Sequence, residues 1–342
     1  MFEPNYLISA KLLENIKRIT TLIFDLNNKH FSKVVLMDFV KRAHEISAHA
    51  STSIEGNPLP LTEVKKILKT HPRHIRDSER EVLNYNKALS RLEEAMNKKN
   101  PPFDLSLILK IHATVMEGLM ASVRLNKIRQ EPVFVNDPVE RKTVYWPPDH
   151  QDVAPLMNEL FDFIHKNKGA IDPLILAGIF HKQFVIIHPF VDGNGRTIRL
   201  ATKVLLSAMG LSTFNLFSFE NYYNKNVSQY FAQVGVRGNY YELCDRVDFT
   251  KWLEYFTDGI MDELLRVFKA LQEKNITPKT ILKPHHQKIL DTIKTYDFIT
   301  DKIYSTLIER AKATRNQDFN QLIEMGWIER VGKGKATIYR MK

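Results

Sequence analysis

The sequence predicts a mainly α-helical protein with a β-hairpin in its middle and a winged helix-turn-helix domain at its C-terminal end. Three observations carry this. Apolar residues recur at helical spacing along most of the 342 residues. The spacing breaks between Ile128 and Trp146, where two short β-prone runs stand close together. After Thr277-Pro278, three helical patterns lead into two strand-like runs around a glycine-lysine turn.

From Tyr6 to Ala50 the apolar positions Leu12, Leu13, Ile16 and Ile19, then Val40, Ala43, Ile46 and Ala50, read as two helices. Pro58 and Pro60 interrupt, and Thr62 is the expected N-cap of the next helix, so Ser51 to Asn57 sit at a helix end. Helices follow at Arg80–Ala95 and Leu105–Leu119 on either side of Pro101-Pro102. Pro132–Val135 and Thr143–Trp146, flanking Asn136-Asp137-Pro138, form the hairpin. Two more helices, Ala154–His165 and Pro173–Ile187, run into a loop at His188, and another starts near Asn194 and runs to Met209. Asn221–Val236 and Asp248–Glu273 are read as helices. In the last segment His286–Tyr296, Asp301–Ile308 and Thr314–Met325 are helical, and the strands flank Gly332-Lys333-Gly334-Lys335.

Composition narrows the function classes. Hydrophobic residues at 44% and charged residues at 26% are ordinary for a globular protein. With no basic-then-apolar leader and no apolar run of ~18 residues, the expected location is the cytoplasm, with no membrane partner. The single cysteine, Cys244, excludes an intramolecular disulfide and a zinc ribbon, and reads as an inert core residue. A net charge of +10 favours polyanionic partners, and residues 279–342 carry 13 Lys+Arg against 7 Asp+Glu, or +6 of that total.

The loop from His188 to Arg199 concentrates chemistry. Gly193, Asn194 and Gly195 lie between two helices, where glycine lets backbone N–H groups approach an anion and the following helix adds its positive end. Arg196 and Arg199 lie three residues apart on that helix and, with the glycine nest, suit a di- or triphosphate. Asp192 stands where a carboxylate would hold Mg²⁺ against phosphate oxygens. His188 is placed to act as general base on a hydroxyl. Singly, these are a structural histidine, a turn former and a helix entry; together within nine residues they point to a phosphate-handling transferase.

His188, Phe190, Asp192, Gly193, Asn194, Gly195, Arg196 and Arg199 fill every defined position of His-x-Phe-x-(Asp/Glu)-Gly-Asn-Gly-Arg-x-x-Arg, and the sequence thereby resembles the Fic family over most of residues 30–260. The resemblance implies a Fic-type helical bundle that transfers AMP from ATP to a Ser, Thr or Tyr hydroxyl of a protein, itself included, and releases pyrophosphate. It implies His188 as base, Asp192 as the Mg²⁺ ligand, Gly193 to Gly195 and Arg196 on the phosphates, and Phe190 as the loop's anchor. The hairpin becomes a flap on which an extended stretch of the protein substrate docks by strand addition, or else it is a structural hairpin. Tyr230, on the helical stretch after the motif, is read as a nucleotide contact, with a core aromatic as the alternative.

Ser51 and Glu55 likewise match the family's inhibitory pattern (Ser/Thr)-x-x-x-Glu-(Gly/Asn). A carboxylate paired with Arg199 would occupy the donors that the ATP γ-phosphate needs. Glu55 is equally consistent with a reverse reaction that removes AMP. The expected organisation is an N-terminal helical region over 1–100 with the inhibitory motif at 51–57, a catalytic core over 101–275, and a winged helix over 279–342. That last segment offers Lys312, Arg315, Lys333 and Lys335 to DNA, or docks a protein; a DNA-binding regulator with a Fic sensor is the rival reading. A homo-oligomer remains open.

Overall fold

The computed structural model describes residues 2–28, 33–70, 72, 74–98, 102–136, 142–208, 216–274, 282–332, 334 and 337–341. Among these it contains fifteen α-helices and five short strands. They fall into two compact units, Met1–Lys29 with Phe39–Lys269, and His30–Asp38 with Ala270–Lys342.

In order the larger unit holds α1 (Ala10–Asn28), most of α2 (Lys33–Ile54), α3 (Leu61–Thr70), α4 (Asp77–Lys98), α5 (Leu105–Val115), α6 (His150–Asn167), α7 (Pro173–Ile187), α8 (Asn194–Ala208), α9 (Phe219–Lys225), α10 (Val227–Val234), α11 (Tyr240–Leu243) and most of α12 (Thr250–Lys274). Its centre is α7. This helix is apolar on every side, which is the pattern of a helix wrapped by others, and all but two of its residues are buried. Asp172 caps it by accepting from Leu174 N, Pro173 occupies its first turn, and α6 and α8 pack along it. α8 in turn packs against α4 and α5. From α12, Trp252 Nε1 donates to the Gly178 carbonyl at 2.7 Å, and the helices approach so closely that a Cβ on Gly178 would lie 2.6 Å from Leu253 Cδ2.

Several elements differ from the sequence expectation. α2 runs past Ala50 to Ile54 and carries Ser51 on its last turn. α3 starts at Leu61, where the Pro60 carbonyl accepts from Val64 N, so Thr62 lies inside the first turn and is not the cap. The helix expected over Asn221–Val236 is two: the backbone turns at Asn226, whose side chain accepts from Gln229 N and caps α10. The hairpin is short, β1 (Val135–Asn136) against β2 (Thr143–Trp146), with Asp137 and Pro138 of its turn outside the described residues. β2 also pairs in parallel with β3 (Gly238–Asn239), a third strand that no alternating run announces. Cys244 is exposed, just past the four-residue α11, whose buried residue is Tyr240. Met209 lies outside the described residues. Among the described residues no helix is long and apolar enough to cross a membrane.

The smaller unit contains α13 (Pro284–Tyr296), α14 (Asp301–Leu307) and α15 (Lys312–Glu324), followed by the antiparallel β4 (Ile328–Val331) and β5 (Ile338–Met341). Its core is Ile289, Leu290, Ile293, Ile299, Tyr304, Phe319, Leu322, Ile328 and Tyr339, with Phe319 stacked on Tyr339 at 3.9 Å. Ile299 bridges to Tyr339 beside the hairpin. Lys333 and Lys335, at the hairpin's tip, lie outside the described residues.

The close approach of α7 and α12 sets an expected outcome. Valine raises no helix-propensity penalty over glycine, yet Gly178→Val forces its side chain into Leu253 and Phe256. Denaturant unfolding should show a loss of about 1–3 kcal/mol, the range for overpacked cores.

Candidate active site

The loop between α7 and α8 is held from three sides. α7 ends when His188 takes a left-handed conformation, φ 55° and ψ 59°, with its N–H bonded to the Phe184 carbonyl. Asn194 closes the turn: its Oδ1 accepts from Phe190 N at 3.0 Å and its Nδ2 donates to the Phe190 carbonyl at 2.8 Å. The Phe190 ring is buried and stacks on His112 of α5 at 3.7 Å, while His112 Nε2 donates to the Asp192 carbonyl. On the other side Arg129 donates to the His188 carbonyl at 2.8 Å and to the Pro148 carbonyl at 2.6 Å, and the Tyr145 hydroxyl of β2 donates to the Ile186 carbonyl. The hairpin and the loop are thereby tied together.

This framework fixes the reactive groups. Burial, the largest influence, pushes the His188 ring down to about 4, outweighing the upward pull of the Val185 carbonyl. At neutral pH the ring is therefore uncharged and able to accept a proton. Asp192 is 60% exposed, and the bonds it makes, from Gly193 N and Arg196, fall on Oδ1. Gly193 adopts φ 80°, a left-handed turn that other residues rarely take, and a Cβ there would strike Met116. The first turn of α8 leaves N–H groups without intrahelical partners, facing the loop.

The two arginines are buried and already paired. Arg196, 3% exposed, meets Asp192 at 3.2 Å and Glu81 of α4 at 3.2 Å. Glu81 is held in turn by Asn57 Nδ2 at 2.7 Å. Arg199 is fully buried; its Nε donates to Ser51 Oγ at 2.7 Å and its terminal nitrogen to Glu55 Oε1 at 2.7 Å and the Ser51 carbonyl at 2.8 Å. Burial alone disfavours its charge, but Glu55 and the neighbouring Tyr230 and Tyr85 more than reverse this, so its pKa is raised.

These contacts follow from helical spacing. Ser47, Ser51 and Glu55 recur every four residues along one face of α2 and past its end, as do Gly195, Arg199 and Lys203 on α8. Run antiparallel, the rows meet in register: Ser47 Oγ accepts from Lys203 at 3.0 Å, Ser51 meets Arg199, and Glu55 lies over Gly195, where any Cβ would collide with its carboxylate. Lys203 also pairs at 3.1 Å with buried Glu220, which accepts from Tyr85 and Ser218.

Residues 102–206 match the family model described as Fic/DOC family. The segment is thus similar to Fic domains. Curated relatives named "Protein adenylyltransferase Fic" include one from Nematostella vectensis, 30% identical over 175 residues, and one from Aedes aegypti, 28% identical over 221 residues. The matches span 50% and 59% of this chain but only 39% and 42% of those proteins, so the chain covers less than half the length of the relatives. Among solved structures, a Fic family protein from Desulfovibrio desulfuricans G20 superposes over 100% of this chain and 98% of its own with a TM-score of 0.64 at 20% identity. Fic-1 from C. elegans does so over 78% and 74% with a TM-score of 0.61 at 21% identity, which establishes a shared fold.

Around the loop the structure brings His188, Asp192, Gly193, Gly195, Arg196 and Arg199 together, and adds Ser51 from the last turn of α2 and Glu55 from just beyond it. Asn194 spends both side-chain polar atoms on Phe190, which leaves its backbone N–H for a ligand. Tyr230 departs from its expected nucleotide contact. It is 1% exposed, stacked on Tyr223 at 4.7 Å, and its hydroxyl meets His181 Nε2 at 3.1 Å, so it belongs to the aromatic core beneath Arg199. Sequence reasoning missed Glu81, His112 and Arg129, whose only signal is distant pairing.

His112, His181 and His188 are all held below the ordinary imidazole value, chiefly by burial. In the unfolded chain they take up protons that the folded chain refuses. The stability they contribute is thus present above about pH 6.5 and is lost as pH falls toward about 4. His112→Gln removes one such group, and thermal melts of the variant between those pH values should show a shallower fall of Tm than the parent.

Proposed function

We propose that the chain is an autoinhibited protein adenylyltransferase, moving AMP from ATP to a protein Ser, Thr or Tyr hydroxyl and releasing pyrophosphate. The observation that carries this reading is the neutral His188 ring beside a glycine nest and two buried arginines on the start of α8. The Nematostella and Aedes relatives named as adenylyltransferases support it.

His188 takes the proton of the incoming hydroxyl, whose oxygen forms a bond to the α-phosphorus as the bond to the pyrophosphate oxygen breaks. Arg196, Arg199 and the N–H groups of the nest meet the phosphate oxygens and stabilise the charge that shifts onto the leaving group. Asp192 suits a divalent ion, which we take to be Mg²⁺, because its exposed carboxylate bonds through Oδ1 alone, and one or two carboxylates plus phosphates are the usual Mg²⁺ set. Such an ion would neutralise phosphate charge during transfer. The β1–β2 hairpin, tied to the loop through Arg129 and Tyr145, offers β1 to an extended segment of the protein substrate.

Autoinhibition rests on Arg199. Its donors are taken by Ser51 and Glu55, and the Glu55 carboxylate covers Gly195, so a γ-phosphate and Glu55 compete for one place. For the C-terminal unit, three helices and a hairpin support a winged helix. DNA binding gains little from it, because Arg315 is spent on Asp301 at 2.7 and 3.0 Å and on the Arg310 carbonyl, leaving Lys312 exposed at the start of α15.

Labelled ATP with a divalent ion, followed by mass spectrometry for an AMP adduct, tests the reading. Glu55→Gly should raise self-modification by about ten- to hundredfold, the equivalent of a charge-assisted hydrogen bond of about 1.5–3 kcal/mol. His188→Ala should abolish it in the Glu55→Gly background. Adduct formation that is no faster in Glu55→Gly than in the parent would remove the inhibitory role, and adduct in the double variant would remove the base.

A further inference from the structure

The C-terminal unit contains a cluster of ligand-type side chains that nucleotide transfer does not use. His285 and His286 stand on the first turn of α13, and Asp318 on α15. His285 Nε2 lies 3.1 Å and His286 Nε2 3.8 Å from the same oxygen, Asp318 Oδ1. The three ligand atoms all fall within 4.8 Å of one another. His286 is 1% exposed, yet neither of its ring nitrogens has a hydrogen-bond partner, and the buried Nε2 of His285 is not aligned with one either. Buried imidazole nitrogens are ordinarily met by something, and here three go unmet within one cluster.

We propose that His285 Nε2, His286 Nε2 and Asp318 Oδ1 bind a divalent transition-metal ion of the zinc class. A tetrahedral ion about 2.0–2.1 Å from each ligand would space its ligands about 3.3 Å apart, and the observed 3.1 and 3.8 Å bracket that spacing. The other carboxylate oxygen is fixed from behind: the Tyr304 hydroxyl donates to Oδ2 at 2.9 Å and Arg310 approaches it at 3.1 Å, which turns Oδ1 toward the two rings. Two imidazoles and one carboxylate favour zinc, cobalt or nickel over magnesium or calcium, which prefer oxygen alone. His285, partly open to solvent, gives the ion its way in, and water completes the shell.

Two features oppose the ion, the positive end of α13 and the Arg310 guanidinium. They set its affinity below that of a closed four-ligand site. Bound there, the ion clamps the start of α13 to the middle of α15, two of the three helices around the small core. The remaining account of the cluster is an ion pair between Asp318 and a protonated histidine, with no metal.

The test uses the full chain, freed of any affinity tag and stripped with a chelator. Titration with Co²⁺ should give the intense visible absorption of a tetrahedral site, saturating at one ion per chain; Zn²⁺ should displace it and raise Tm in a saturable way. His285→Ala, a change at the edge of the unit, should abolish both responses while circular dichroism stays that of the parent. Asp192→Ala, in the catalytic loop, should keep both. Absence of a visible band together with no saturable Tm shift overturns the proposal, as does a band that survives His285→Ala or vanishes with Asp192→Ala.

Discussion

A guanidinium with no exposure to water dictates much of this structure. Arg199 cannot shed its proton, and an unpaired charge inside the helical core would cost several kcal/mol. Ser51 and Glu55 supply the acceptors, and this requirement fixes where α2 lies, along the face of α8 that carries Gly195, Arg199 and Lys203. The same face continues into the fully buried set of Lys203, Glu220, Tyr85 and Ser218. Charge is thus handed along the α2–α8 seam in pairs, and the aromatic layer of Tyr223, Tyr230 and Trp252 seals it from beneath.

The loop at His188 depends on that seam for its base and on three unrelated residues for its shape. Asn194 closes it, His112 props its Phe190, and Arg129 hangs it from the segment that leads into the hairpin. None of the three needs to touch a substrate to matter. They set the depth at which His188 sits, and depth is what keeps its ring neutral.

The parts of this arrangement that the sequence discloses are those encoded by short spacing. His188 to Arg199 lie within a dozen residues, and Ser51 and Glu55 are one helical turn apart, so both groups are visible to a linear reading. Glu81, His112 and Arg129 are not, because each is an ordinary residue whose partner in the loop or on α8 lies 59 or more positions away. Tyr230 misleads for a related reason: an aromatic at helical spacing looks the same whether it faces a ligand or a neighbouring ring, and only the stack on Tyr223 decides. β3 escapes because two residues show no alternation, and its pairing partner is set by where α10 ends. The same limit applies to Arg315, which reads as a surface cation until Asp301 and the Arg310 carbonyl are seen to consume it.

Gly195 has a consequence for how such a protein can change over time. The room left by its missing side chain is filled by the Glu55 carboxylate, and it is the same room that an anion arriving at the head of α8 would need. A larger residue at 195 therefore evicts both occupants at once. Release of the arginine cannot come from that position; it has to come from Ser51, on the last turn of α2, or from Glu55 just beyond it, and the loss of either leaves Arg199 with fewer acceptors. Position 195 is thus held by packing while Ser51 and Glu55 answer to Arg199, so in the proposed inhibited state the hold on the arginine can be retuned without rebuilding the loop.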